Sequence, residues 1–246
     1  IQSAMAGVKR IDAFLAQSER TVMPEHRDSV HGDVVFSGVT FGYDYKPVLK
    51  DFSMSVKEGE QVTLTGRTGA GKSTLFKLLL GLYTPEKGDI TIGEVKVSDI
   101  ADSERRACVG CVEQHFSRVP GTVLDQITLC DPNITEQMAR TAAKLAGIDD
   151  AVLSLPDGYN TVCTEGMFSQ GEWQLLSVAR AAAADPKVLL LDEITANLDA
   201  ETESRVLEAL HRASKGRTVL SISHRLYENL GGRRVEIKGC RNSCDG

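Results

Sequence analysis

A chain of 246 residues, 41% hydrophobic and 25% charged, can bury one sizeable core with room for a small appendage, and it carries too much apolar residue for a disordered segment. With 28 Lys and Arg against 34 Asp and Glu the net charge is −6, the wrong sign for tracking nucleic acid backbones, so no nucleic acid partner is expected. No apolar run approaches the ~20 residues that span a membrane, and Lys9, Arg10 and Asp12 interrupt the place of a signal-peptide core, so the isolated chain reads as soluble.

Ile1, Ala4, Met5, Val8, Ile11 and Leu15 recur at three- and four-residue spacing and predict an amphipathic helix. The mixed polar stretch "TVMPEHRDSVHGD" then reads as a linker ending near Asp33, which sets residues 1–32 apart from a domain over 33–246. Strands are expected at "VVFSGVTF", "VLKDFSMSV" and "QVTLT", and later at "KVLLL" and "TVLSIS". The last three are short and rich in Val, Leu and Ile, as in parallel strands buried on both faces. "RRACVGCVEQ" also reads as a strand, in which Cys108 and Cys111 would face opposite ways and could not close on one metal, even with Cys240 and Cys244 as further candidates. Between Ser117 and Asp185 the pattern turns helical, most clearly in "TEQMARTAAKLAG" and "EWQLLSVARAAAA". An α/β core with a helical insertion, over about residues 116–186, is the expected architecture.

The strongest chemical signal is Gly66-Arg67-Thr68-Gly69-Ala70-Gly71-Lys72-Ser73, followed by Thr74. It fits the phosphate-loop pattern G-x-x-x-x-G-K-[ST], and it follows the strand "QVTLT" and opens the helix "STLFKLLLGL". Its glycines let successive backbone N–H groups point at one anion while the helix N-terminus adds partial positive charge. Lys72 is expected to reach the β- and γ-phosphates and Ser73 to bind Mg²⁺. A phosphate loop also needs a carboxylate for the metal and a group to direct water. The run Val188-Leu-Leu-Leu191-Asp192-Glu193 offers both at the carboxyl end of a buried strand, with Asp192 toward Mg²⁺ and Glu193 as general base.

In their order, these motifs resemble the ATP-binding cassette of ABC transporters, from about Asp33 to Gly239. The resemblance implies a P-loop NTPase cassette with a mostly parallel core sheet, an antiparallel β subdomain and a helical subdomain. It implies that Tyr43 in "FGYDY", rather than Tyr45, stacks on adenine, that Gln114 touches Mg²⁺ and senses the membrane domains, that Asp199 belongs to the loop after the catalytic glutamate, and that His224 in "SISHRL" contacts the γ-phosphate. "FSQGEWQ" falls at the family's signature, commonly Leu-Ser-Gly-Gly-Gln, with Ser169 and Gly171 retained and Gln170 and Glu172 as departures. Ser169 and Glu172 also make an S-x-x-E capping box. The resemblance implies that this helix start binds the γ-phosphate of ATP held by a second cassette, identical or not, and Glu172 is expected to weaken that grip by placing negative charge near an anion.

"HFSRVPGTVLDQITL" and "LPDGYNT" resemble exporters in which membrane and ATPase domains share one chain, and Glu165 resembles the acid that contacts the membrane domain's loops. On that likeness the first 32 residues are the end of a transmembrane domain and its linker. The expected protein is the ATP-hydrolysing domain of a bacterial exporter at the cytoplasmic face of the membrane, with ATP and Mg²⁺ as cofactors. The alternatives are a stand-alone importer subunit, a non-transport ABC ATPase, or a nucleotide-binding module with weak hydrolysis.

Overall fold

The computed structural model describes residues 30–44, 46–113, 115–192, 198–222 and 231–238. The expected N-terminal helix, Cys240 and Cys244 therefore lie outside the described residues.

Strand β1 (Val34–Tyr43) pairs with β2 (Lys46–Val56) and β4 (Lys87–Ile92), and β5 (Val95–Lys96) completes an antiparallel sheet in the order β2-β1-β4-β5. The second sheet runs β6 (Val109–Val112), β7 (Val188–Leu191), β8 (Thr218–Ser221), β3 (Gln61–Thr65) and β9 (Arg233–Glu236), with every neighbouring pair parallel. The α/β class expected from the sequence is therefore the class observed.

The unbroken apolar runs have a direct cause. Successive strand residues point to opposite faces, and both faces of the parallel sheet are covered. Val188 and Leu190 join a core with α1 (Lys72–Leu79) and the antiparallel sheet, whereas Leu189 and Leu191 join a second core built from helices. Those helices are α3 (Val123–Thr128), α4 (Glu136–Ala146), α5 (Asp149–Leu153), α6 (Gln170–Ala182) and α7 (Ala200–Ser214). Helix α4 follows its sequence signals closely: the Thr135 hydroxyl accepts from the Met138 N–H, Ala139, Ala142, Ala143 and Ala146 form the buried stripe, and Gly147 ends it at φ 77°. Among the described residues no helix is long and apolar enough to cross a membrane.

One expectation is overturned. "RRACVGCVEQ" is not a single strand: α2 (Asp102–Cys108) runs directly into β6 at Val109. Arg105 and Arg106 hold this corner by donating to carbonyls, Arg105 to Ile100 at 2.8 Å and Arg106 to Ile127 at 3.1 Å. The second of these is a tertiary bond, 21 residues apart, that no local pattern encodes. Cys108 thus closes a helix while Cys111 sits in a strand. Burial pushes the Cys108 thiol up to about 11, and burial with the nearby Glu113 and Asp192 carboxylates pushes Cys111 up to about 12. Burial thus disfavours the thiolate at both positions.

Candidate functional site

The parallel sheet brings its strand ends together on one edge. The loop after β3 carries residues 66–71, and Asp192 follows β7, two strands away across β8, or about 10 Å at ordinary strand spacing. Backbone bonds fix this edge: the Asp192 N–H donates to Val112 O at 3.0 Å, the Ile222 N–H to Leu191 O at 2.9 Å, and the Ile237 N–H to Thr65 O at 2.7 Å. Beneath the loop the Thr63 and Ser221 hydroxyls bond at 2.8 Å between β3 and β8.

Two of the loop's glycines are required by geometry. Gly66 has φ 140°, and a Cβ there would stand 2.5 Å from Ile237 O. Gly71, at φ 99°, stands immediately before α1, and a Cβ there would meet Leu49 Cδ2 at 2.9 Å and Val48 Cγ1 at 3.1 Å. The antiparallel sheet thus closes directly over the start of α1. Helix α1 has no side-chain cap, so its first N–H groups remain for an anion. Lys72 folds over the same loop, its Nζ donating to Gly66 O at 2.8 Å and Arg67 O at 3.1 Å. Arg67, Thr68, Gly69 and Ser73 are exposed, and Ala70 and Thr74 are buried. The Ser73 hydroxyl and the Asp192 carboxylate are hard oxygen donors, the chemistry Mg²⁺ takes.

Tyr43 ends β1, half-buried, against Phe41 and Tyr83. Glu193 and His224, expected to act on the water and the γ-phosphate, and Gln114, expected to touch Mg²⁺, lie outside the described residues, as does Tyr45.

The signature segment forms the expected capping box at the start of α6. The Ser169 hydroxyl accepts from the Glu172 N–H at 3.3 Å, and the Glu172 carboxylate accepts from the Ser169 N–H at 2.8 Å and its hydroxyl at 2.9 Å. Ser169 and Gln170 are exposed while Gly171 is buried. Behind it lies α7, capped by Asp199, whose carboxylate accepts from the Thr202 N–H at 3.0 Å. That bond leads the causes that hold the Asp199 carboxyl below its ordinary value. Sequence reasoning missed Thr202. A Cβ on Gly171 would stand 2.1 Å from Thr202 Cγ2, so the starts of α6 and α7 touch through the missing side chain. An exposed helical Gly→Ala change gains up to about 1 kcal/mol, but here overpacking of ~1–3 kcal/mol opposes it. We expect Gly171→Ala to lower unfolding free energy by about 1 kcal/mol, and the same change in a Thr202→Ala background to raise it. Urea unfolding of the four proteins checks this; a loss that persists without Thr202 would put the cause elsewhere.

Also missed was the mounting of Trp173. Its ring stacks on Phe116 at 5.1 Å and meets Phe168 edge-on at 5.0 Å, with the Arg118 guanidinium 5.7 Å from its centroid. Arg180 lies 3.9 Å over Phe116 and donates to Gln126 O at 2.6 Å and Ser117 O at 2.8 Å; burial lowers its pKa to about 10 and leaves it charged at neutral pH. The signal was present in "HFSR" and "GEWQ", two aromatics each near a basic or polar neighbour, but nothing local joins residues 57 positions apart. Beside Trp173 a groove of about 390 Å³ is lined by His115, Arg118, Glu165 and Gln170, with Arg118 and Glu165 paired at 3.9 Å.

Comparison with known proteins places these features in a family context. Residues 49–196 match the family model described as ABC transporter. The chain is similar to the mycobactin import ATP-binding/permease protein IrtA of Mycobacterium tuberculosis, 38% identical over 92% of this chain and 27% of that protein. It is also similar to the alpha-hemolysin translocation ATP-binding protein HlyB of Escherichia coli O157:H7, 38% identical over 90% of this chain and 31% of that protein. Among solved structures, a bacterial Atm1-family ABC exporter with ATP bound superposes with a TM-score of 0.78 at 28% identity, covering 97% of this chain and 43% of that one. The chain spans less than half the length of each of these relatives.

Proposed function

Because this chain belongs to the ABC transporter family, we propose that it is the ATP-binding and ATP-hydrolysing domain that powers an exporter, working as one of two cassettes arranged head to tail. The observation that carries the reading is the phosphate loop of residues 66–73 folded between β3 and an uncapped helix, with Asp192 on the same sheet edge. Residues 33–246 are read as the cassette, with its helical subdomain at about 116–186, and residues 1–32 as its connection to a transmembrane domain.

ATP enters with its phosphates on the N–H groups of Gly69 to Thr74. Lys72 exchanges the Gly66 and Arg67 carbonyls for the β- and γ-phosphates, and Tyr43 carries the base. Ser73, Asp192 and Gln114 would hold Mg²⁺, which supplies charge stabilisation at the phosphates. Glu193 takes a proton from water as the water oxygen bonds to the γ-phosphorus. The bond to the β–γ bridging oxygen breaks, leaving ADP and phosphate, and His224 orients the γ-phosphate. Ser169, Gln170 and Gly171 of the opposite cassette close the site, beside that cassette's Asp199. The groove between Arg118, Glu165 and Trp173 receives the membrane domain's cytoplasmic loops in this reading, with the chain working at the cytoplasmic face of the membrane. The exporter reading follows the one-chain arrangement of membrane and ATPase domains that the sequence resembles.

Glu172 sets the strength of closure. Its carboxylate takes the Ser169 hydroxyl and N–H that an incoming phosphate needs, and it repels that phosphate by roughly 1 kcal/mol in a solvated setting. Glutamine at this position keeps the capping box and removes the charge. Steady-state ATP hydrolysis, measured across chain concentration, should show a rate per chain that rises with concentration, because two chains complete a site. Each dimer has two such sites, so Glu172→Gln removes roughly 2 kcal/mol of repulsion and should lower the half-maximal concentration roughly thirtyfold. A rate per chain independent of concentration would sink the shared site.

A further inference from the structure

The end of β1 leaves Tyr43 with little to hold it. The chain turns immediately at Asp44, φ 46°, and the Tyr43 hydroxyl is buried with no hydrogen-bond partner among the described residues. Among the described residues, packing orients the ring.

Three side chains from three segments supply that packing. Phe41, two residues back on the same face of β1, meets it edge-on at 5.0 Å. Tyr83 meets it edge-on at 5.3 Å, and Phe41 and Tyr83 are themselves 5.5 Å apart, which closes a triangle of rings. Lys77 of α1 places its Nζ 5.6 Å from the Tyr43 centroid. All three ring separations lie within the favourable aromatic range.

Tyr83 itself is pinned. Helix α1 ends with the Leu82 N–H donating to Lys77 O at 2.9 Å, and three residues past Tyr83 the loop is tied to β1: the Glu86 N–H donates to Thr40 O at 2.9 Å, and the Gly42 N–H donates to the Glu86 carboxylate at 3.1 Å. One helix therefore starts at the phosphate loop and delivers at its far end the ring that fixes Tyr43. Tyr83 is also 43% exposed.

We propose that Tyr83 is a positioning residue for base recognition: its ring holds that of Tyr43 in the orientation that accepts the purine, and so ties base selectivity to the helix that binds the phosphates. The inference rests on the reading of Tyr43 as the base platform. Losing one edge-on pair, and with it the fixed orientation of Tyr43, should weaken base-dependent affinity roughly three- to tenfold.

Calorimetric titration of the 246-residue chain with ATP and with inorganic tripolyphosphate, which has phosphates but no base, tests it in the wild type and in Tyr43→Ala, Tyr83→Ala and Tyr83→Phe. Tyr83→Ala should lose affinity for ATP and keep that for tripolyphosphate, while Tyr83→Phe, which retains the ring, should match the wild type for both. Wild-type ATP affinity in Tyr83→Ala, or an equal loss for both ligands, overturns the proposal. If Tyr43→Ala is weakened for ATP in that case, only the role of Tyr83 falls. If Tyr43→Ala also binds ATP normally, the base platform falls and takes Tyr83 with it.

Discussion

Lys72→Ala is expected to weaken ATP binding about a hundredfold or more, equivalent to ~3 kcal/mol. The Lys72 ammonium folds over the phosphate loop, and hydrogen bonds from a charged donor contribute roughly 1.5–3 kcal/mol each. The gain is smaller than two such bonds to phosphate because Lys72 is not idle without ligand: it must give up Gly66 O and Arg67 O. Those contacts also clasp the loop, so alanine removes a small structural support together with the phosphate contact. Thermal unfolding without nucleotide separates the two effects. A variant that unfolds at the wild-type temperature and still binds ATP at wild-type affinity would overturn the phosphate site.

The second large effect concerns turnover. Glu193→Gln is expected to keep ATP affinity within a few-fold and to slow hydrolysis by roughly 10²- to 10⁴-fold, the usual contribution of a positioned general base. Glutamine preserves size and hydrogen bonding but cannot take a proton from water. Single-turnover hydrolysis, with binding measured separately, distinguishes loss of chemistry from loss of substrate. Normal turnover by this variant would assign the base elsewhere.

How far the sequence could be read depends on where each feature takes its stability. β3, β7 and β8 were legible because both faces are buried, which demands an uninterrupted apolar run, and the α6 capping box was legible because Ser169 and Glu172 are three residues apart. β4, with "KGDITI", and β9, with "RRVE", carry mostly exposed or half-buried residues. Their place comes from pairing: β4 lies between β1 and β5, and at the sheet edge Arg233 of β9 bonds the Glu60 carboxylate at 2.6 Å, a charged edge strand giving little periodic signal. α2 was hidden for a related reason: it has no side-chain cap, and arginine bonds to distant carbonyls hold it.

The candidate site divides along the same line. Residues within one loop, Gly66 to Ser73, could be read as a unit because the anion site is local in sequence. Tyr83 beside Tyr43, Thr202 against Gly171, and Phe116 beneath Trp173 could not, because each contact joins segments that only the finished fold brings together. These second partners decide how well the legible residues are held.

The central claim, that two copies of this site complete each other around ATP, is tested most directly by the mass in solution of the Glu193→Gln chain, measured by light scattering on a sizing column with and without saturating ATP. A slow-hydrolysing chain should shift from the mass of one chain to that of two when ATP is added, and should return to one when Ser169→Arg is combined with it, because a long cation at the α6 start blocks the approach of the opposite nucleotide. A chain that binds ATP and keeps the mass of one, or a dimer that Ser169→Arg leaves intact, would contradict the shared site.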